Sequence, residues 1–142
     1  MRIQPRPYPA SRLLLGVFVL SVASMYSYNV QAAGTQPPIP RGVTMKSWHE
    51  NGSGGRYVLH VVEGQPLKSG KAVTGTVLTD TDCDADAEGL SHCHNTIELA
   101  NGARIAVIDT HEMQVNRCMS PGEQISLTGI GKSWIVGTVS TK

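Results

Sequence analysis

An Asn101-Gly102 pair lies between two runs of alternating apolar and polar residues, 95–100 and 103–108. Alternation with a period of two is typical of β-strands, and Asn-Gly favours a two-residue type I′ turn in which both residues have positive φ. We therefore predict a β-hairpin in which Ala100 faces Ala103. Because side chains alternate between the faces of a strand, this pairing decides which hairpin residues share a face.

Short alternating segments of the same kind recur along the chain, separated by turns rich in Gly, Pro and Ser. An open sheet of five or six such strands would leave unpaired edges and an uncovered apolar face. We therefore predict an all-β chain that folds as a small five- to six-stranded antiparallel barrel. The predicted strands cover residues 57–62, 72–79, 95–100, 103–108, 124–130 and 134–139.

The order of elements over residues 72–139 is strand, long loop, hairpin, irregular connection and hairpin. This order resembles the OB-fold, a five-stranded Greek-key barrel. The resemblance implies that the first three of these strands form a meander and that a connection bridges the third and the fourth. An SH3-like barrel is the alternative, and neither fold by itself implies a function.

The amino terminus has the features of a cleaved signal peptide. Three arginines precede an apolar run at residues 13–25, and small residues follow at Val30-Gln31-Ala32. The run is shorter than the roughly 20 residues of a membrane-spanning helix, which favours cleavage after Ala32 over a permanent membrane anchor. We predict a periplasmic or secreted protein.

Removal of residues 1–32 leaves 110 residues with nine basic and eleven acidic side chains, a formal charge of −2. We predict a flexible Pro/Gly-rich segment at 33–56 and one barrel domain at 57–142. Nucleic-acid binding calls for a basic surface with aromatic side chains, which this composition does not supply. We expect no nucleic-acid partner.

The predicted register brings a set of metal-binding side chains to one face of the hairpin. His94 lies opposite Asp109 and His92 opposite His111, with Met113 two residues further on. Three imidazoles with a carboxylate suit zinc or copper, and a thioether favours Cu(I). We therefore predict a transition-metal site at His92, His94, His111, Asp109 and Met113.

Two alternatives stay open at this site. His94 and Asp109 could form a surface ion pair with no metal. A three-residue loop would instead shift the pairing by one residue and send the two halves of the site to opposite faces.

Cys83, Cys93 and Cys118 are the three cysteines of the chain. In an oxidising compartment one disulfide is expected, with one thiol left over, and each of the three pairings is open.

An acidic loop at residues 80–89 precedes the hairpin. Asp84, Asp86 and Glu88, followed by Gly89, resemble the start of an oxygen-rich Ca²⁺ loop. Asn95 stands where that loop needs a bidentate Glu, so the pattern predicts at most a weak Ca²⁺ site, and a solvated acidic loop is the alternative.

No catalytic residues are predicted, since no G-x-S-x-G motif accompanies the serines and histidines. The function predicted from the sequence is capture, buffering or delivery of a transition metal by an exported barrel. The alternative is a disulfide-stapled, non-catalytic binding or structural module, with an envelope or extracellular protein as its partner.

Overall fold

The structure is a computed structural model that describes residues 36–140. Two short 3₁₀ helices, Trp48–Glu50 and Ser53–Gly55, precede six strands. The strands are β1 Arg56–Glu63, β2 Ala72–Val77, β3 Ser91–Leu99, β4 Arg104–His111, β5 Gln124–Gly131 and β6 Trp134–Val139. The predicted signal peptide lies outside the described residues, and within them no helix has the length and apolar character needed to span a bilayer.

The six strands form a closed antiparallel barrel in the order β1-β4-β3-β2-β5-β6, with β6 pairing back onto β1. The prediction of a small all-β antiparallel barrel is therefore confirmed. The meander β2-β3-β4 and the hairpin β5-β6 follow the expected order. The first strand, β1, is inserted between β4 and β6 and adds a sixth member to the barrel.

Alternate residues of every strand face the barrel interior, as β-geometry requires. Each fully buried Leu, Ile or Val side chain contributes about 1.5–3 kcal/mol to folding. The apolar core consists of Tyr57, Leu59, Val61, Val77, Ile97, Leu99, Ile105, Val107, Met119, Ile125, Leu127, Ile135 and Val139.

The β3-β4 hairpin has a three-residue loop, so the prediction that Ala100 faces Ala103 is wrong. The Leu99 amide donates to the Ala103 carbonyl at 2.8 Å, and Gly102 alone within the loop has positive φ, at 82°. A type I′ turn would need positive φ at Asn101 as well. Every residue of β3 is consequently paired one position away from the predicted register.

Residues 36–55, predicted as part of a flexible segment, pack against the outer face of the barrel. Trp48 is 5 % exposed and lies with Val58 and Leu90 in a second apolar cluster. Its ring stacks on Trp134 with centroids 5.6 Å apart, and its indole N–H donates to the Pro37 carbonyl at 2.8 Å. The segment covers one side of the barrel.

Asn51 joins this segment to two strands. Its amide nitrogen donates to the Val58 carbonyl, the Thr110 carbonyl and Asp109 Oδ1, at 2.9–3.1 Å. Its side-chain oxygen accepts from the Val58 amide at 2.7 Å. All of these groups are shielded from water, since Asn51 is 1 % exposed.

We predict that Asn51→Ala lowers the free energy of unfolding by about 3 kcal/mol, because truncation strands several buried polar groups without partners. Urea unfolding measures the change. Asn116→Ala is the control, because Asn116 makes one exposed hydrogen bond to the His49 carbonyl, and its loss should be below about 1 kcal/mol. Equal losses in the two variants would contradict the role given to Asn51.

Candidate metal centre

One end of the barrel interior is polar. Here the start of β3 and the end of β4 direct Ser91, Cys93, Asn95, Asp109 and His111 inward, and each is at most 2 % exposed. The observed register causes this arrangement, since it pairs Cys93 with Asp109 and Ser91 with His111. The apolar interior of the barrel thus ends in a cluster of side chains that can ionise, donate hydrogen bonds or coordinate a metal ion.

The structure does not bring the predicted His-rich set together. His92 and His94 point to the outside of the barrel, whereas Asp109 and His111 are fully buried inside it. Met113 lies beyond the end of β4 and is 44 % exposed. The one-residue shift in register separates the two halves, since neighbouring residues of a strand face opposite ways.

On the outer face, His92 links the acidic loop to the barrel. Its Nε2 donates to Asp86 Oδ2 at 2.9 Å, and its Nδ1 lies 3.1 Å from the Thr110 hydroxyl. The other carboxylate oxygen, Oδ1, accepts from the amides of Glu88 and Leu90. The hydrogen bond from His92, followed by those from the backbone, lowers the pKa of Asp86 to about 2.

Both carboxylate oxygens of Asp86 accept hydrogen bonds in these contacts, which hold the acidic loop in its conformation. Asp84 and Glu88, the other residues of the predicted Ca²⁺ site, are exposed. Among residues 36–140, potential metal-ligand atoms converge in a different group of residues, which includes none of those predicted for the metal sites.

That set combines a carboxylate with all three cysteines. One ligand atom from each of Asp80, Cys83, Cys93 and Cys118 lies within 4.8 Å of the others. Cys83 and Cys93 form a disulfide and Cys118 is a free thiol. The candidate metal centre is defined by these four residues.

Three separate parts of the chain supply the centre. Asp80 and Cys83 belong to the loop after β2, which runs along β3 through bridges between Thr81 and His94 and between Ala85 and Ser91. Cys93 is on β3, fully buried, and Cys118 lies in the connection between β4 and β5.

The carboxylate of Asp80 is held in place by a buried amide. Asn95 Nδ2 donates to Asp80 Oδ1 at 2.9 Å and to the Thr79 carbonyl at 3.0 Å. Hydrogen bonds of this kind orient metal ligands and support metal affinity. Asn95 is therefore a positioning residue for the centre.

The distances suit tetrahedral coordination. Bond lengths of about 2.3 Å for Zn–S and about 2.0–2.2 Å for Zn–O place two sulfurs about 3.8 Å apart and a sulfur and an oxygen about 3.5 Å apart. Cys93 Sγ lies 3.8 Å from Cys118 Sγ, and Cys83 Sγ lies 3.5 Å from Asp80 Oδ1. The bonded pair of sulfurs has to separate, and it must first be reduced, because thiolates are the metal ligands.

The thiol of Cys118 is protonated at neutral pH. Burial, followed by the nearby carboxylates of Asp80 and Asp109, raises its pKa to about 11. The same negative potential favours a cation among the sulfurs, so a bound metal ion would replace the thiol proton.

Asp109 and His111 form a buried pair of titratable side chains at the same end of the barrel. Asp109 Oδ2 lies 3.1 Å from His111 Nδ1, and neither side chain is exposed. Burial raises the pKa of Asp109. Burial also acts to lower the pKa of His111, but the contact with Asp109 outweighs it and raises that pKa. Neither His111 ring nitrogen has a hydrogen bond of good geometry among the described residues.

The cysteines were predicted from the sequence as disulfide candidates, whereas Asp80 was not predicted to lie beside them. The pattern Asp80-x-x-Cys83 is a usable signal, but Cys118 follows thirty-five residues after Cys83, and their proximity depends on the pairing of β2 and β4 with β3. No protein-family model, curated protein or solved structure matches the chain.

We predict that alkylation of Cys118 by iodoacetamide is slow at pH 7 and rises about tenfold per pH unit up to pH 10, because the thiolate is the reactive form. Mass spectrometry of the Cys118 peptide after short pulses gives the rate. Asp80→Asn removes a carboxylate that raises the pKa of Cys118 and should increase the rate at pH 7. A plateau near pH 8.5 in the unmodified chain would contradict the burial of this thiol.

We predict that His92→Ala raises the pKa of Asp86 from about 2 toward its ordinary value of 3.8. A lowered carboxyl pKa stabilises the folded state above pH 4, and this stabilisation is lost as the pH falls from about 4 to 2. The variant should therefore lose stability at pH 7 but little at pH 2. NMR titration of the Asp86 carboxyl carbon measures the shift, with exposed His94→Ala as the control, and an unchanged pKa in His92→Ala would contradict the contact.

Proposed function

We propose that this chain is an exported protein that captures, buffers or delivers a transition metal, copper or zinc. The metal is bound in the dithiol form by Asp80, Cys83, Cys93 and Cys118. The observation that carries the proposal is the convergence of one carboxylate and three sulfurs within 4.8 Å.

The ligand types select the metal class. Thiolates are soft ligands that favour Cu(I) and zinc over Mg²⁺ and Ca²⁺. Three sulfurs with a carboxylate complete a tetrahedral zinc site, whereas the three sulfurs alone suit trigonal Cu(I). This donor set replaces the imidazole set predicted from the sequence.

The surroundings of the centre favour a tightly held cation. Asn95 orients Asp80, and Cys93 lies directly opposite Asp109 across the β3-β4 pair. A partly buried site is screened less by solvent than an exposed one, so attraction between the carboxylates and the ion is stronger there. Binding converts thiols to thiolates and releases protons, which makes affinity rise with pH.

Export rests on the amino-terminal pattern of residues 1–32 and is compatible with a cysteine pair that is oxidised in the structure. In such a compartment the disulfide form does not bind metal through Cys83 and Cys93. The protein therefore holds its metal when the thiols are loaded before oxidation, or after a reductant has opened the bond.

The test is anaerobic titration of the reduced full chain with Zn²⁺ and with Cu⁺, followed by elemental analysis and by thiolate-to-metal absorption. One ion per chain is expected. Cys118→Ser should lower the affinity by more than about 100-fold, and Asn95→Ala by about 10- to 100-fold through loss of ligand orientation.

The matched control is the double variant His92→Ala, His94→Ala, which leaves all four proposed ligands in place and should keep full affinity. Unchanged affinity in Cys118→Ser would refute the ligand set. Loss of affinity in the histidine variant alone would point back to an imidazole site.

A second candidate is a disulfide-stapled, non-catalytic module that recognises an envelope or extracellular protein. The disulfide between Cys83 and Cys93 favours it, because the bond ties the acidic loop to the barrel wall. Absence of stoichiometric metal binding by the reduced chain would favour this candidate.

A further inference from the structure

We propose that Cys93 is the central sulfur of a thiol–disulfide exchange centre. In this centre Cys118 displaces Cys83 and delivers a free thiol to the acidic loop, where it reacts with cationic disulfides. This exchange needs no metal ion and is independent of the proposed metal binding.

Cys93 Sγ has two other cysteine sulfurs close to it. Cys93 Sγ is bonded to Cys83 and lies 3.8 Å from the free thiol of Cys118. A disulfide bond is about 2.05 Å long, so a movement of less than about 2 Å brings the third sulfur to bonding distance. Cys118 belongs to a connection between strands, where such a movement does not disturb a β-ladder.

The internal step conserves atoms and electrons. The Cys118 thiol gives up its proton, and the thiolate attacks Cys93 Sγ. The new bond joins Cys118 to Cys93, the bond from Cys93 to Cys83 breaks, and Cys83 leaves as a thiolate that takes up a proton. One disulfide and one thiol are present before and after the step, so no oxidant is required.

The product differs from the starting form in where its thiol lies. Cys118 and Cys83 are both half-buried, but Cys118 precedes the fully buried Met119 in the β4-β5 connection, whereas Cys83 lies between Asp82 and Asp84, which are both exposed. The Cys83 thiolate can then attack an external disulfide, forming a mixed disulfide and releasing the external thiol. Cys93 is fully buried and does not react with external reagents directly.

The negative charge of the acidic loop determines which external disulfides react fastest. Residues 80–88 carry four aspartates and one glutamate and no basic side chain. Their negative potential attracts cationic reagents and repels anionic ones at low ionic strength. A cationic disulfide such as cystamine is therefore expected to react faster than the anionic disulfide of glutathione.

Internal exchange requires the Cys118 thiolate, and the titratable or charged groups that face this thiol are Asp80, Asp109, Tyr57 and Arg117. The thiolate is the attacking form, so exchange is faster in alkaline solution than at neutral pH.

The experiment treats the metal-free, unreduced full chain with cystamine at pH 7 to 10, quenches with acid, and maps disulfides by peptide mass spectrometry. The expected product carries the adduct on Cys83 and a bond between Cys93 and Cys118. An adduct on Cys118 with the original disulfide intact would overturn the proposal, as would a bond between Cys83 and Cys118.

Two variants sharpen the result. Cys118→Ser keeps the original disulfide and should give no cystamine adduct, and an adduct on its Cys83 would overturn the proposal. Cys83→Ser should close a bond between Cys93 and Cys118 on mild oxidation, with circular dichroism confirming the fold, and two persistent thiols in the folded variant would overturn it.

Substrate choice is tested separately with the unmodified chain. Cystamine should react about tenfold faster than oxidised glutathione at low salt, and the difference should shrink at 1 M salt, where charges are screened. Equal rates at low salt would refute the assignment of a cationic substrate class.

Discussion

The structure depends on the pairing of Leu99 with Ala103 across the three-residue loop of the β3-β4 hairpin. This pairing directs Cys93 and Asp109 into the same interior. A shift by one residue would exchange the inner and outer faces of one strand relative to the other. The candidate metal centre, the buried pair of Asp109 and His111, and the outward position of His92 all follow from that one register.

Burial of polar groups at this end of the barrel is costly unless they are paired. Asn51 offsets part of this cost by donating hydrogen bonds to Asp109 and to the backbone of two strands. Asn95 does the same for Asp80. The same few amides therefore stabilise the barrel and hold the groups that give this end its chemistry.

The two activities proposed for the candidate metal centre exclude each other at any one time. A sulfur in a disulfide is not a thiolate ligand, so metal binding and the bond between Cys83 and Cys93 compete. Cys118 has a role in both proposals, as a metal ligand in the dithiol form and as the attacking thiol in the disulfide form. The redox state of the surroundings would thus decide which activity the protein shows.

The sequence alone predicts the all-β character, the barrel and the positions of five strands to within a few residues. These features are predictable because alternation and turn residues are local signals. β3 begins at Ser91, four residues before its predicted start, since His92 and His94 belong to the ladder despite their polarity. Tertiary structure decided the register, because Asn-Gly is compatible with more than one loop length. The tertiary structure also brings Asp80 and Cys118 together. Both β2 and β4 run antiparallel to β3, so the loop after β2 and the connection after β4 lie at the same end of the barrel, and no local pattern records that distance.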